Sequence, residues 1–298
     1  MDSSHPQRTS SNQKRKAQDS IMVFSKHAEF METYHRQNFS MPDSVIFYVA
    51  KNPKTSALYL KMIKTCKYFF VKNSIIVIDC LDTHRGKWRI NKKPLDLTKY
   101  NCKYWITDKI HAPAFEFVNR NIFSSIISKL YRCDVKCLEL FFQVVSFNDL
   151  SLLIPSAEKI YLRNVSVKKC DSIIPLEDIV AIAVKAKEIS VDKPTITPKT
   201  MKKLSELPNF KKLDNLTLRN LSEVFDIDEF HGYMKKNFHT KFYLYFDEQI
   251  SNAFKNRLET IVDEILETKE FNYKPPIISF IALDIQKYGK LYQIFSFH

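Results

Sequence analysis

The second half of the chain alternates between short strand patterns and helical patterns. Each strand pattern places two apolar residues two positions apart, which puts both side chains on one face of a strand. Helical patterns follow most of them, over residues 176–187, 199–207, 226–236 and 248–268, and a last strand pattern covers 277–283. The strand pairs are Leu138/Leu140, Ile160/Leu162, Ile189/Val191, Leu216/Leu218 and Phe242/Leu244, whose first members are 22, 29, 27 and 26 residues apart.

This spacing predicts a fold class between α+β and α/β. One strand and one helix per unit, repeated every twenty to thirty residues, fits a leucine-rich-repeat-like solenoid. The triplet Leu-Arg-Asn at 162–164 and again at 218–220 favours such repetition. A plain α/β domain with a short parallel sheet explains the same pattern equally well.

The segment Met41–Phe70 has a different pattern, typical of two short amphipathic helices around a turn. Apolar residues recur at helical spacing after Pro42, and Asn52-Pro53 ends that helix, because a residue before proline is pushed out of the helical region. Thr55 or Ser56 is suited to cap the next helix. The apolar stripe of that second helix comprises Tyr59, Met62, Ile63, Cys66, Phe69 and Phe70.

These patterns divide the chain into four predicted regions. The first is polar and Ser-rich, which is typical of a disordered tail. Between the helical module and the repeats lies a β-rich stretch that begins with the apolar run 74–81, and a helix is predicted over 119–131. The regions are a tail over 1–22, a helical module over 23–72, a β-rich connecting region over 73–118 and a strand–helix array over 119–298.

Charge concentrates in one part of the chain. The net charge is +13, and residues 51–110 alone carry 14 Lys and Arg against 4 Asp and Glu. A basic surface of this kind speeds encounter with an acidic protein or with nucleic acid. Trp88, Tyr104 and Trp105 lie among these cations, and aromatic rings between cations can stack on bases. A nucleic-acid-binding protein that uses the basic 51–110 surface is therefore an alternative hypothesis.

Composition favours a protein without catalytic chemistry. Three glycines leave no Gly-rich phosphate loop, the cysteines lack zinc-site spacing, and no nucleophile and base stand out together. We therefore expect no enzyme activity, no catalytic residue, no metal and no cofactor. The sequence has neither a membrane-spanning apolar run nor an apolar signal core near its first residue, so we expect a cytoplasmic or nuclear protein.

Met41–Phe70 resembles the F-box, and closely resembles the divergent form found in the large F-box families of nematodes. The shared features are Met41-Pro42, the apolar residues of the first helix, the break at Asn52-Pro53, and an ending of Cys-Lys and aromatics at 66–70. The following passage, from the run at 72–81 to that at 95–110, also looks like the region after the F-box in those proteins, so the resemblance covers about residues 41–110 and is thinner beyond. Met41 stands where the family usually has leucine, and the first helix is short.

This resemblance implies a substrate-recognition adaptor of an SCF-type (Skp–cullin–F-box) E3 ubiquitin ligase. In that family the F-box binds the acidic Skp adaptor subunit and through it the cullin, and the C-terminal domain binds a target protein. The positions that match the Skp-contacting part of the motif are Met41, Pro42, Val45, Ile46, Val49, Ile63, Cys66 and Phe69. Because the strands of a solenoid line its binding face, the expected target contacts are Glu139, Tyr161, Ser190, Thr217 and Tyr243.

Overall fold

The computed structural model describes residues 38–97, 101–114 and 122–297, together with Glu32. The predicted tail over 1–22 lies outside the described residues, as does nearly all of 23–37. The chain forms two compact units, Met1–Ser74 and Ile75–His298. This division lies close to the boundary predicted between residues 72 and 73.

The described part of the first unit contains three short helices. They are α1 (Asp43–Lys51), α2 (Ser56–Thr65) and α3 (Lys67–Lys72). Helix α1 starts after Pro42 and ends at Asn52, as the sequence predicts. The Thr55 hydroxyl caps α2 by accepting a hydrogen bond from the backbone N–H of Leu58, at 3.1 Å.

The predicted second helix is interrupted, which corrects the continuous stripe expected from Tyr59 to Phe70. Cys66 has extended backbone angles, φ −151° and ψ 125°, so α2 ends before it and α3 starts after it. The Thr65 hydroxyl donates to the carbonyl of Met62 at 2.8 Å, within the last turn of α2. Such side-chain bonds to the backbone compete with the regular helix, and apolar spacing alone does not detect them.

A buried polar contact holds the helices of the first unit together. The side-chain amide of Asn73 donates to the carbonyl of Ala50 at the end of α1, at 3.0 Å. The hydroxyl of Tyr59, which is fully buried in α2, donates to the carbonyl of Asn73 at 2.7 Å. Ile46 and Met62 complete the buried interior.

The second unit is built on an 11-stranded sheet, counted over the described residues, in the order β14-β13-β12-β11-β8-β6-β4-β1-β2-β3, with β5 also paired to β4. From β4 to β14 every pairing along this order is parallel. A small separate sheet contains β7 (Val144–Ser146), β9 (Ser166–Lys169) and β10 (Ser172–Ile173). The large sheet comprises β1 (Ile75–His84), β2 (Lys87–Ile90), β3 (Lys93–Pro94), β4 (Lys103–Pro113), β5 (Leu130–Cys133), β6 (Cys137–Phe141), β8 (Lys159–Arg163), β11 (Glu188–Asp192), β12 (Asn215–Leu221), β13 (Lys241–Phe246) and β14 (Ile277–Ser279).

The strand order explains why the strands alternate apolar and polar residues. From β4 onward the sheet grows in one direction, and right-handed crossovers then place all connecting helices on one face. The other face carries no crossover helix, so only every second residue is buried, as Leu138 and Leu140 are. The helices are α4 (Ser124–Ile127), α5 (Phe147–Leu153), α6 (Leu176–Ile182), α7 (Thr200–Glu206), α8 (Ile227–Met234), α9 (Asn252–Glu267) and α10 (Ile285–Phe297), with a 3₁₀ turn at Phe210–Lys212.

The register confirms the predicted repetition of strands and helices. Five predicted apolar positions, one per unit, are direct neighbours across the sheet, and the mixed α/β class is thereby confirmed. Three strands, β6, β8 and β11, are followed directly by a residue with a positive φ, and a fourth such residue lies near the end of β12, where the register with β13 shifts; the four φ values are 51° to 56°. These four residues are Phe142, Asn164, Lys193 and Asn220, so the asparagine of the repeated Leu-Arg-Asn triplet occupies a left-handed corner that asparagine tolerates well.

Three details of the predicted layout are corrected. Residues 73–118 are not a separate connecting region, because β4 pairs with β6 and joins the same sheet as the repeats. The helix predicted over 119–131 is only α4 within the described residues, and its predicted end forms β5 instead. The C-terminal helix α10 was not predicted; it packs against β14 and α9 at the end of the sheet.

Candidate protein-binding surfaces

Helix α1 has a second apolar side that the first unit does not bury. Met41 is 50% exposed, Val45 43%, Tyr48 68% and Val49 38%. Their spacing of four, three and one residues places Val45, Tyr48 and Val49 together on one side of the helix, with Met41 just before its first turn. We call these four residues the exposed stripe. A single isolated apolar side chain on a surface is ordinary, but a contiguous row of four is typical of a contact surface.

The other predicted Skp contacts lie in different surroundings. Pro42 is exposed beside the stripe, whereas Ile46 is 3% exposed and packs inside the unit. Ile63, Cys66 and Phe69 are half-buried. The ring of Phe69 packs against Phe39 and Tyr68, with centroids 6.0 and 5.8 Å apart. Ile46 therefore supports α1 from within, and Tyr48, which the sequence analysis missed, is the most exposed member of the stripe.

The surface of the first unit is basic. Residues 38–74 contain six lysines and one acidic residue, Asp43. Lys51 follows the stripe in α1, with its ammonium 5.6 Å from the ring centre of Phe47. An apolar stripe beside lysines is complementary to an acidic partner with an apolar groove.

The five predicted target contacts lie in one row. The register pairs Glu139 with Tyr161, Tyr161 with Ser190, Ser190 with Thr217, and Thr217 with Tyr243. All five are partly exposed on the face of the sheet without crossover helices, and the ring of Tyr243 packs there against Phe295 of α10, with ring centres 4.8 Å apart. We call the five predicted contacts the central row. The five residues lie side by side because they occupy equivalent positions in successive strands, which pair in the same register.

Two carboxylates on this face, those of Glu139 and Glu188, form hydrogen bonds with neighbouring side chains. Glu139 accepts hydrogen bonds from Lys109 Nζ and His111 Nδ1, each at 2.6 Å. Burial alone raises the pKa of Glu139, but the bonds from Lys109 and His111 outweigh it, and the pKa is lower than usual. The Tyr161 hydroxyl donates to Glu188 at 2.8 Å, and burial with this bond raises the pKa of Tyr161.

A second row crosses the same face at the ends of the strands, and the sequence analysis did not identify it. Asp192 on β11 pairs with Arg163 on β8 and with Arg219 on β12. Phe141 is the neighbour of Arg163 on β6, and Tyr245 lies beside Arg219 on β13. We call these five residues the arginine row. The repeated Leu-Arg-Asn triplet was its signal, since it placed an arginine at the same position of two units.

The aromatic residues of the nucleic-acid alternative face inward. Trp88, Tyr104 and Trp105 are all buried. The indole N–H of Trp105 donates to Asp134 at 2.8 Å, and that of Trp88 donates to the carbonyl of Ile122 at 3.3 Å. Rings in these positions pack the interior of the second unit and are not available to stack on bases.

Two cysteines of the repeats carry protonated thiols. Burial raises the pKa of Cys133 to about 12, and burial with the nearby Glu139 raises that of Cys137 to about 11. Within the part of the chain that the structure describes, no three His, Cys, Asp or Glu side chains cluster as metal ligands would. None of the helices described is both long and apolar enough to cross a bilayer. Neither a scan of known protein families nor a search of curated proteins finds a match to this chain.

Proposed function

We propose that this protein is the substrate-recognition adaptor of an SCF-type E3 ubiquitin ligase, acting in the cytoplasm or nucleus. The first unit binds the Skp adaptor subunit, and through it the cullin, and the second unit binds a target protein. The observation that carries this proposal is the exposed stripe of α1. It lies in the segment that resembles the F-box, and its side chains are available to a partner.

The division of α1 into two apolar sides supports this role. Ile46 and Ala50 supply the interior of the first unit, so the exposed stripe is not needed to hold the helices together. Apolar side chains at helical spacing insert well into a groove of another protein. The lysines of the same unit suit the acidic Skp partner that the F-box resemblance implies.

The second unit suits target binding as a leucine-rich-repeat-like solenoid. Successive parallel strands, four of which have a left-handed residue at or near their end, resemble the stacking of one supersecondary unit per repeat. One face of the sheet carries polar and aromatic side chains in ordered rows, without crossover helices. The central row is the predicted target contact within that face.

Co-purification of the full chain with the Skp subunit tests the docking assignment. The double substitution Val45→Asp and Val49→Asp places two carboxylates in the exposed stripe and leaves Ile46 untouched. Losing the apolar contact of two half-exposed valines costs about 2 kcal/mol, or roughly 30-fold in Kd. Desolvation of the new charges adds to this loss.

The matched control is Val184→Asp with Val224→Asp, which changes two exposed valines of the second unit. This control is expected to bind the Skp subunit normally, and removal of residues 1–72 is expected to abolish binding. The docking assignment is wrong if the stripe variant still binds at wild-type strength. Thermal unfolding of each variant separates lost docking from lost folding.

A further inference from the structure

The two arginines of the arginine row lean apart. Arg163 lies over the ring of Phe141, 5.6 Å from its centre, and Arg219 lies over the ring of Tyr245, at 4.3 Å. The two rings stand on opposite sides of the pair, on β6 and β13, with Asp192 between the arginines. Stacking on a ring holds a guanidinium plane in place while its N–H edge remains able to donate hydrogen bonds.

Neither arginine is neutralised by the carboxylate between them. Asp192 accepts a hydrogen bond from the side-chain amide of Asn220. Among the described residues, no acidic side chain forms an ion pair with Arg163 or Arg219. The other carboxylates of this face, Glu139 and Glu188, already have cationic or hydroxyl partners. The arginine row therefore presents two positive groups on either side of one negative group.

A cavity of about 190 Å³ is lined by both arginines and by Tyr161, Ser190, Asp192 and Glu139. The Glu139 carboxylate is already bonded to Lys109 and His111, so Asp192 is the acidic group of the cavity that has no cationic partner among the described residues. The volume of the cavity is sufficient for one side chain of a bound segment. The strands of Arg163 and Arg219 have one strand between them, so their backbones are about 10 Å apart. Because each guanidinium group leans toward its ring, away from the other arginine, the two guanidinium groups are farther apart than the two backbones. Two side chains four positions apart in an extended peptide are about 13 Å apart and point to the same side.

We propose that the arginine row binds an extended acidic segment of the target protein, with two carboxylate side chains four residues apart and an uncharged residue between them. This inference rests on the proposed function for its biological setting, and it names the class of target. Each arginine donates to one carboxylate, for which its planar N–H fork is well shaped. Asp192 selects against an acidic residue at the centre.

The same geometry disfavours a nucleic acid. A phosphate chain carries a negative charge at every nucleotide, so it cannot avoid Asp192 while contacting both arginines. The guanidinium groups also cover the rings of Phe141 and Tyr245 from this side, which leaves those faces unavailable to bases. A peptide can place a neutral residue over Asp192, and an oligonucleotide cannot.

Fluorescence anisotropy with the full chain tests this inference. The probe is a labelled peptide containing Glu-Thr-Ala-Thr-Glu, compared with Glu-Thr-Glu-Thr-Glu and with labelled poly-uridylate RNA. Arg163→Gln with Arg219→Gln is expected to weaken binding of the first peptide by at least about 10-fold. The charge-matched control, Lys168→Gln with Lys202→Gln, changes two exposed lysines outside the row and is expected to leave binding within about 2-fold.

The central acid provides the sharper test. The second peptide is expected to bind the wild-type chain about 3-fold more weakly than the first, and Asp192→Asn is expected to remove that difference. Equal loss in the arginine and lysine variants, or stronger binding of RNA than of either peptide, overturns the inference. Co-purification with the Skp subunit is expected to be normal in the arginine variant, so failure of this inference is distinguishable from failure of the proposed function.

Discussion

The buried amide of Asn73 is expected to control the stability of the first unit. Asn73→Ala removes the donor to the carbonyl of Ala50, a residue with no exposed surface. A buried carbonyl that loses its hydrogen bond costs about 1–3 kcal/mol, since water cannot replace the donor without opening the fold. A loss of about 2 kcal/mol raises the opening equilibrium constant of the helices roughly 30-fold.

The chain contains a matched control at the same helix end. The side-chain amide of Asn52 donates to the carbonyl of Tyr48 at 2.9 Å, but this bond is exposed to water. Asn52→Ala removes the same chemical group from the same end of α1 and is expected to cost at most about 0.5 kcal/mol, or roughly 2-fold in opening. The two substitutions therefore differ in the burial of the hydrogen bond.

Hydrogen exchange followed by mass spectrometry measures both effects under native conditions. Peptides that cover α1 and α2 are expected to exchange roughly 30-fold faster in Asn73→Ala and to change little in Asn52→Ala. Peptides from β6 and β8, in the second unit, are expected to exchange at the wild-type rate in both. Equal acceleration in the two variants would refute the argument that burial sets the value of this bond.

Two further predictions concern the second unit. Asn164 has a φ of 51°, which a β-branched residue adopts only with strain. In urea unfolding, Asn164→Val is expected to lower the free energy of unfolding by about 1–2 kcal/mol, whereas Asn164→Gly is expected to change it by no more than about 0.5 kcal/mol. Similar losses in both variants would show that this position does not require a left-handed backbone. The pKa of Glu139 is held below its usual value in the folded chain, so its contribution to stability is complete above the unfolded pKa of about 4.3 and is lost as the pH falls through the lower folded pKa. Glu139→Gln is expected to reduce the stability difference between neutral and acidic solution, and an unchanged difference in urea titrations would contradict that role.

Local signals in the sequence were sufficient for the repeats. Two apolar residues at strand spacing mark each core strand, and a steady step between units places equivalent residues side by side in a parallel sheet. For that reason the central row, from Glu139 to Tyr243, was predicted from position alone. The turn at Asn52-Pro53 was equally local, because proline restricts the residue before it.

Other features depend on contacts between residues far apart in the chain. The burial of Ile46 and the exposure of its neighbour Val45 depend on how α1 packs against the rest of its unit, and both residues are apolar. The sequence likewise does not show that Trp88 and Trp105 are buried, because they lie in a stretch rich in lysine and arginine. The arginine row required the register of five strands, since its members are spread from Phe141 to Tyr245.

The sequence by itself determined which residues alternate, where helices stop and how long each unit is, because these depend on backbone sterics and on side-chain periodicity within a few residues. The tertiary structure alone decided which apolar side chains are hidden, which carboxylates have partners and which cations lack them. Those outcomes follow from packing and electrostatics between strands and helices that the chain brings together only when it folds.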